Sequence, residues 1–297
     1  MTVTAPPVHA EALPMAPAGT FVLSFDFEDW HQLVYRRIGR ADWQVGSDAF
    51  PRHVDEVLAL LDELAVQATF FVVGATAERH PAALARVAAC GHEIACHTYD
   101  HRRAFRQTPD EFREDVARCL DVVGGICGVR PVGFRAPWFS ITPESAWAHE
   151  ILQDLGFRYD SSLYDSPLLR GRIRPIPAHP FQIGDLWEFP IAVWKRHGLV
   201  LPLGGGSYWR ALPGPVLGRA LAEVARDATL PVLYFHPYEF APEPLQVLLP
   251  PSATVAERVR ETRRRVYKNA RRGLIPGRLR EAAARFRLVG FREALAG

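Results

Sequence analysis

From Thr20 to Phe240 short apolar runs alternate with amphipathic segments, and run after run ends in charged or polar residues. TFVLSFDF, ATFFVVG, HEIACH, PVGFRAP, FRYDSS, LWEFPIAVW and PVLYFHP read as strands. Between them PRHVDEVLALLDELAVQ sets Val54, Val57, Leu58, Leu61 and Leu64 at helical period, with Pro51 at its start. HPAALARVAACG reads as a helix stopped by Gly91. TPDEFREDVARCLDVVGG has Thr108 as N-cap, Pro109 behind it and acids in its first turn. TPESAWAHEILQDLG and PGPVLGRALAEVARDA complete the helices. This alternation predicts parallel strands joined by right-handed crossovers, in a barrel or an open sheet. No glycine-rich phosphate loop follows any strand, and the glycines of PLGGGSYW sit after a proline-rich loop, the wrong place for one. Residues 161–185 are rich in Pro and Arg and read as a long surface excursion.

Polar residues gather where strands end: SFDFEDW, CHTYDH, FRAPW and FHPYEF. Parallel α/β folds collect their catalytic groups at such ends. Side chains alternate along a strand, so Asp26 and Glu28 share a face and Phe27 points away, while Asp29 falls where the chain leaves the strand. His97 and His101 are four apart, a spacing that in a helical turn brings both imidazoles to one side. Two histidines and one carboxylate form a three-ligand set with an open position, the pattern of a catalytic metal. Both Glu28 and Asp29 are candidates for the carboxylate. Cys96 lies next to His97, but alternation turns it to the opposite face and makes it a buried thiol rather than a zinc partner of Cys90. His92 reads as a strand-start residue.

The 297 residues are 48% hydrophobic, enough for a large core, and the net charge of +2 excludes a polyanion-binding surface over the whole molecule. The charge is uneven. Residues 251–297 hold 13 Lys/Arg against 4 Asp/Glu, which leaves about −7 for the rest. Four cysteines follow no disulfide framework. Residues 1–19 are Pro- and Ala-rich, without the basic and apolar regions of a secretory leader. No apolar run nears the ~20 residues of a membrane helix, so the expectation is a soluble, cytoplasmic or membrane-peripheral protein.

SFDFED, ATFFVVG, GHEIACHTYDH, GFRAPW and YFHPYEF, in this order, resemble the polysaccharide deacetylases of carbohydrate esterase family 4 (NodB homology). The D-x-E-D-W variant, LWEFPI and the Arg-rich C-terminus resemble a subgroup associated with bacterial exopolysaccharide and exosortase systems. The resemblance implies an α/β fold, a distorted (β/α) barrel of about seven parallel strands. Residues 1–19 would be a disordered N-terminal segment, 20–240 the catalytic barrel and 241–297 a basic helical extension packed on it. It implies Asp26 as general base, Arg135 as the cation that pairs with it and His236 as general acid. One divalent metal, zinc or else cobalt, nickel or manganese, would be held by His97, His101 and Glu28 or Asp29. Trp138 would offer a backbone N–H to the oxyanion. The family's acid that tunes the catalytic histidine would be Asp160, with Asp165 behind it. Glu188, Glu239 and Trp30 are candidates for sugar contact. The family's commonest first motif has adjacent aspartates, and the spacing here differs, which is why the carboxylate ligand stays open.

The implied reaction is hydrolysis of N-acetyl groups on an exopolysaccharide or its lipid-linked precursor. Two other classes remain: a metal-independent cyclic-amide hydrolase of allantoinase type, and a non-catalytic glycan-binding or assembly protein. The basic tail is open between a solvated face, attraction of an anionic glycan, and a membrane surface; no recognised nucleic-acid module accompanies it.

Overall fold

The structure is a computed structural model that describes residues 16–38, 43, 46–165, 176–246 and 249–296. Most of the 1–19 segment and the middle of the 161–185 excursion lie outside the described residues. The strands are β1 (Thr20–Phe27), β2 (Thr69–Val72), β3 (Glu93–Cys96), β4 (Gly133–Phe134), β5 (Tyr159–Asp160), β6 (Phe181–Ile183), β7 (Leu186–Glu188), β8 (Val193–Arg196), β9 (Leu199–Pro202), β10 (Val232–Phe235) and β11 (Arg287–Val289). The helices are α1 (Trp30–Arg37), α2 (Phe50–Glu63), α3 (Gly74–Arg79), α4 (Pro81–Ala89), α5 (Pro109–Cys127), α6 (Trp147–Asp154), α7 (Gly206–Ala211), α8 (Gly214–Asp227), α9 (Val255–Asn269), α10 (Ile275–Ala283) and α11 (Phe291–Ala296).

Seven strands, in the order β10-β1-β2-β3-β4-β5-β7, pair in parallel, and β6 adds antiparallel at the β7 edge. The sheet curls, and isolated parallel bridges from Ile191 to Val232 and from Gly205 to Tyr234 join its ends. This curled, mostly parallel sheet is the distorted barrel that the resemblance implies, where the strand–helix alternation alone left an open sheet equally possible. The glycines of PLGGGSYW serve this closure: a Cβ on Gly204 would lie 2.8 Å from the Val232 carbonyl oxygen. Only a residue without a side chain lets the backbone come that close.

Alternation along β1 sorts its side chains into two packed layers. Phe21, Leu23, Phe25 and Phe27 join the cluster between sheet and helices; Val22 joins the smaller cluster inside the barrel with Phe71, Ala95 and Val232. The aromatic rings interlock, Phe25 against Phe70 at 5.2 Å and Phe27 edge-on to Phe50 at 4.8 Å. Fully burying one such ring contributes roughly 1.5–3 kcal/mol. The longest helix, α5, starts as its sequence implies: Thr108 and Glu111 cap each other, and Gly128 ends it at φ +66°.

The C-terminal extension does more than pack on the outside. Its β11 joins the sheet beside the start of β1, which short runs of mixed charge did not announce. No helix among the described residues is long and apolar enough to cross a membrane.

Candidate active site

The inward period of β1 places Asp26 at the C-terminal mouth of the barrel. A cavity of about 400 Å³ opens there, with Asp26, Glu28, His97, His101 and His236 in its lining. Arg135, fully buried just beyond β4, donates from Nη1 to Asp26 Oδ1 at 2.7 Å. Its other donors reach the Ser161 carbonyl (3.2 Å) and Ser161 Oγ (3.1 Å), and its guanidinium lies 4.0 Å from the centre of the Phe71 ring. The cation is therefore fixed on three sides, and one oxygen of Asp26 is left facing the cavity. That oxygen, Oδ2, is 3.9 Å from His236 Nε2.

Glu28, His97 and His101 bring one donor atom each within 4.8 Å of one another, and all three residues are buried. Glu28 Oε1 lies 2.9 Å from His97 Nε2 and 2.7 Å from His101 Nε2. The His97 ring is oriented from behind, with Nδ1–H donating to the Arg135 carbonyl at 2.6 Å, so its Nε2 is the atom free to ligate. Burial alone would raise the Glu28 carboxyl, but the imidazoles of His101, His97 and His236 hold it well below the usual carboxylate range. The donor set of two imidazoles and a carboxylate suits a divalent ion of the zinc class. The two histidines meet by a different device from a helical turn. They flank a loop in which Thr98 (φ +63°) and His101 (φ +53°) are left-handed, which brings the rings to 5.1 Å. Trp138 and Phe139 are also left-handed at φ +60° and +51°, and both line the cavity. Such backbone, costly for non-glycine residues, concentrates at functional sites.

His236 directly follows β10, and its Nδ1 is 3.0 Å from Glu239 Oε2, which also accepts the His236 backbone N–H. Burial would depress the ring, yet the hydrogen bond to Glu239 and the nearby carboxylates of Glu28 and Asp26 raise it above the ordinary histidine value. Trp30 is buried against Tyr238, ring centres 5.4 Å apart, and forms part of the cavity wall. Trp138 is 42% exposed on the rim, 6.0 Å from the His101 ring.

Four acids read from the sequence fall outside this arrangement. Asp29 is the N-cap of α1: Oδ1 accepts from His31 N–H at 2.9 Å, and Oδ2 accepts from the Ser47 N–H. Its carboxyl, pushed up to about 7 by burial, turns away from the histidine pair. Asp160 is not the partner of His236. It and Glu188 are register neighbours across β5 and β7, both fully buried, on the far side of the Ser161–Ser162 turn. Asp160 accepts from Ser162 Oγ, and His149 Nε2 lies 3.7 Å away. Glu188 accepts from Leu163 N–H at 2.8 Å. These two acids brace the Ser161–Leu163 segment to which Arg135 donates, and neither lines the cavity, so Glu188 is not placed to meet a sugar. Asp165 pairs with Lys195 at 2.6 Å. The acid that does meet His236 is Glu239, and the signal was present in the sequence as the i,i+3 spacing of HPYE. Cys96 packs in the helix-side core, and the His92 ring accepts from Ala68 N–H at 3.3 Å.

A polysaccharide deacetylase family model matches residues 18–159, and a domain of unknown function (DUF3473) matches 161–296. Residues 18–159 thus carry a polysaccharide deacetylase domain. A peptidoglycan deacetylase-like protein of Gibberella zeae is 30% identical over 125 residues, 41% of this chain and 36% of the relative. A peptidoglycan-N-acetylglucosamine deacetylase of Bacillus cereus is 32% identical over 96 residues, 32% of this chain and 35% of the relative. The match thus spans about a third of each of these two proteins. The crystal structure of a putative polysaccharide deacetylase from Mycobacterium smegmatis superposes with TM-score 0.63 at 23% identity, over 98% of this chain and 94% of that one. It shares the fold across both matched regions.

Proposed function

We propose that the chain hydrolyses the N-acetyl amide of a glycan, of exopolysaccharide or lipid-linked precursor type, to acetate and a free amine. The observation that carries this reading is the convergence on one cavity of a carboxylate–arginine pair, a Glu-His-His donor set and a histidine backed by a glutamate. Glu28, His97 and His101 would hold a divalent metal, zinc first among the candidates, which when bound supplies Lewis acidity at the acyl carbonyl.

The residues of the chain divide the proton work. Asp26, steadied through Oδ1 by Arg135, takes a proton from the attacking water on Oδ2. His236 is held by Glu239 so that Nε2 faces the cavity, and from there it gives a proton to the departing nitrogen. Raised above the ordinary histidine value despite its burial, by the hydrogen bond to Glu239 and the nearby carboxylates, the ring is suited to that role. The Trp138 amide, carried on the left-handed turn at the rim, is assigned to the developing oxyanion, and its ring to the sugar face. The trapped Trp30 ring supports Tyr238 rather than touching the glycan.

Acetate release from N-acetylglucosamine oligomers, with zinc supplied, tests the reading. Asp26→Asn, His97→Ala and His236→Ala are each expected to lose on the order of 10²-fold or more, with unchanged circular dichroism. Full activity in all three would sink it.

A further inference from the structure

The charge around the cavity points to what the substrate carries. Two acids line it, and both are already engaged, Asp26 with Arg135 and Glu28 with the histidines. At its mouth stand three cations, Arg37 from the end of α1 and Arg264 and Lys268 from α9. Arg264 is paired with Glu261. Among the described residues Arg37 and Lys268 make no ion pair with a carboxylate, and Arg37 Nη1 is buried without a hydrogen-bond partner. Arg37 lies 5.2 Å from the Trp138 ring centre and Lys268 Nζ 5.7 Å from that of Tyr238, so each cation stands over an aromatic wall of the cavity.

These cations are not on a loose tail. Arg210, itself buried, donates to the Tyr267 and Ala270 carbonyls at the end of α9, the latter at 3.0 Å. The Asn269 side chain exchanges hydrogen bonds with the Leu245 backbone at 2.8 and 3.1 Å. Burial draws Lys268 below the ordinary lysine value, with Arg210 and Arg37 adding to the effect and Glu239 opposing it; burial and Arg264 lower Arg37 in the same way. Like charges held together at such a cost are what an arriving anion offsets.

We propose that Arg37 and Lys268, with Arg264 beside them, form a subsite for an anionic group of the substrate, a carboxylate or phosphate on the N-acetylated glycan. This rests on the deacetylase reading of the same cavity. The C-terminal helix α9 then selects the substrate rather than merely covering the barrel.

The test compares three probes: a neutral chito-oligosaccharide, an oligosaccharide alternating glucuronate with N-acetylglucosamine, and N-acetylglucosamine 1-phosphate. At least one anionic probe is expected to show kcat/KM about tenfold above the neutral one, eroded by 0.5 M salt. Lys268→Met should raise KM for that anion about tenfold more than for the neutral oligomer, and Lys268→Arg should restore it. Calorimetry on Asp26→Asn reads anion binding without turnover, and the wild-type preference should reappear there as tighter binding. Turnover of the neutral oligomer with no anionic preference, or equal losses on both substrates in Lys268→Met, overturns the subsite and leaves deacetylation standing. Acetate from none of the probes, with no anion binding to Asp26→Asn, overturns both.

Discussion

Replacing Arg135 by Met leaves the Asp26 carboxylate buried at 3% exposure without its 2.7 Å partner and removes the donors to Ser161. Breaking a buried pair by deleting one partner costs about 3–5 kcal/mol, because the surviving charge is stranded. A 297-residue chain unfolds with an entropy of about 0.6 kcal/mol/K, so the melting temperature should fall by about 5–8 °C. Met keeps much of the apolar contact with Phe71, so the loss reports mainly on the charge. The double variant Asp26→Asn/Arg135→Met strands no charge and should recover at least about half of the loss. The His97 ring hangs on the backbone carbonyl of residue 135, so metal content should persist in Arg135→Met while acetate release collapses. Differential scanning calorimetry of the four proteins measures the cycle. An Arg135→Met melting temperature within about 1 °C of the parent, or single losses that simply add in the double variant, would refute the coupling.

Glu28→Gln should abolish stoichiometric zinc binding by elemental analysis, while Asp29→Asn should keep it and lose only helix-capping stability, about 1 kcal/mol. Zinc retained in Glu28→Gln and lost in Asp29→Asn would reverse the assignment. Burial raises Asp160 to about 7, so the folded state holds a proton there that the unfolded chain has released above the ordinary value of 3.8. Stability from this group is present below pH 3.8 and lost as pH rises toward 7. The melting temperature of Asp160→Asn relative to the parent should therefore improve from pH 5 to about pH 7 and level off above it, and a flat difference over pH 5 to 7 would contradict the buried, protonated acid. Gly133→Ala drives a Cβ to 1.9 Å from the Tyr159 ring and should destabilise by several kcal/mol in urea unfolding, more than overpacking in a core that can adjust.

Much of the site was legible because it follows strand alternation. The period of two along β1 sends Asp26 inward and Phe25 and Phe27 to the helices, and the same period separates Cys96 from His97. Asp29 was not separable from Glu28 by period, since the strand ends at Phe27, before both of them, and only tertiary contact with Ser47 shows the Asp29 side chain turned to cap α1. His97 and His101 were found by spacing, but the loop that unites them depends on left-handed residues that sequence does not announce outside glycine and asparagine. Asp160 and Glu188 looked like site acids because they end strands. Whether a strand-end acid faces the mouth or the packed interior depends on where a two-residue strand stops, which composition does not record. The cations of α9 are more than 150 residues from His97 and His101 (264 − 101 = 163), and only the fold shows that they share one cavity.

The central claim is that one cavity combines the Glu-His-His donor set with the Asp26 base and His236 acid to cleave an N-acetyl amide. It is tested most directly by stripping the purified protein with chelator, restoring one equivalent of zinc, and measuring acetate and free amine from N-acetylglucosamine oligomers in the same sample. The account predicts negligible release when stripped, equimolar acetate and amine after restoration, and no recovery in Asp26→Asn despite full zinc binding. Equal release with and without metal, or restored activity in Asp26→Asn, would contradict it.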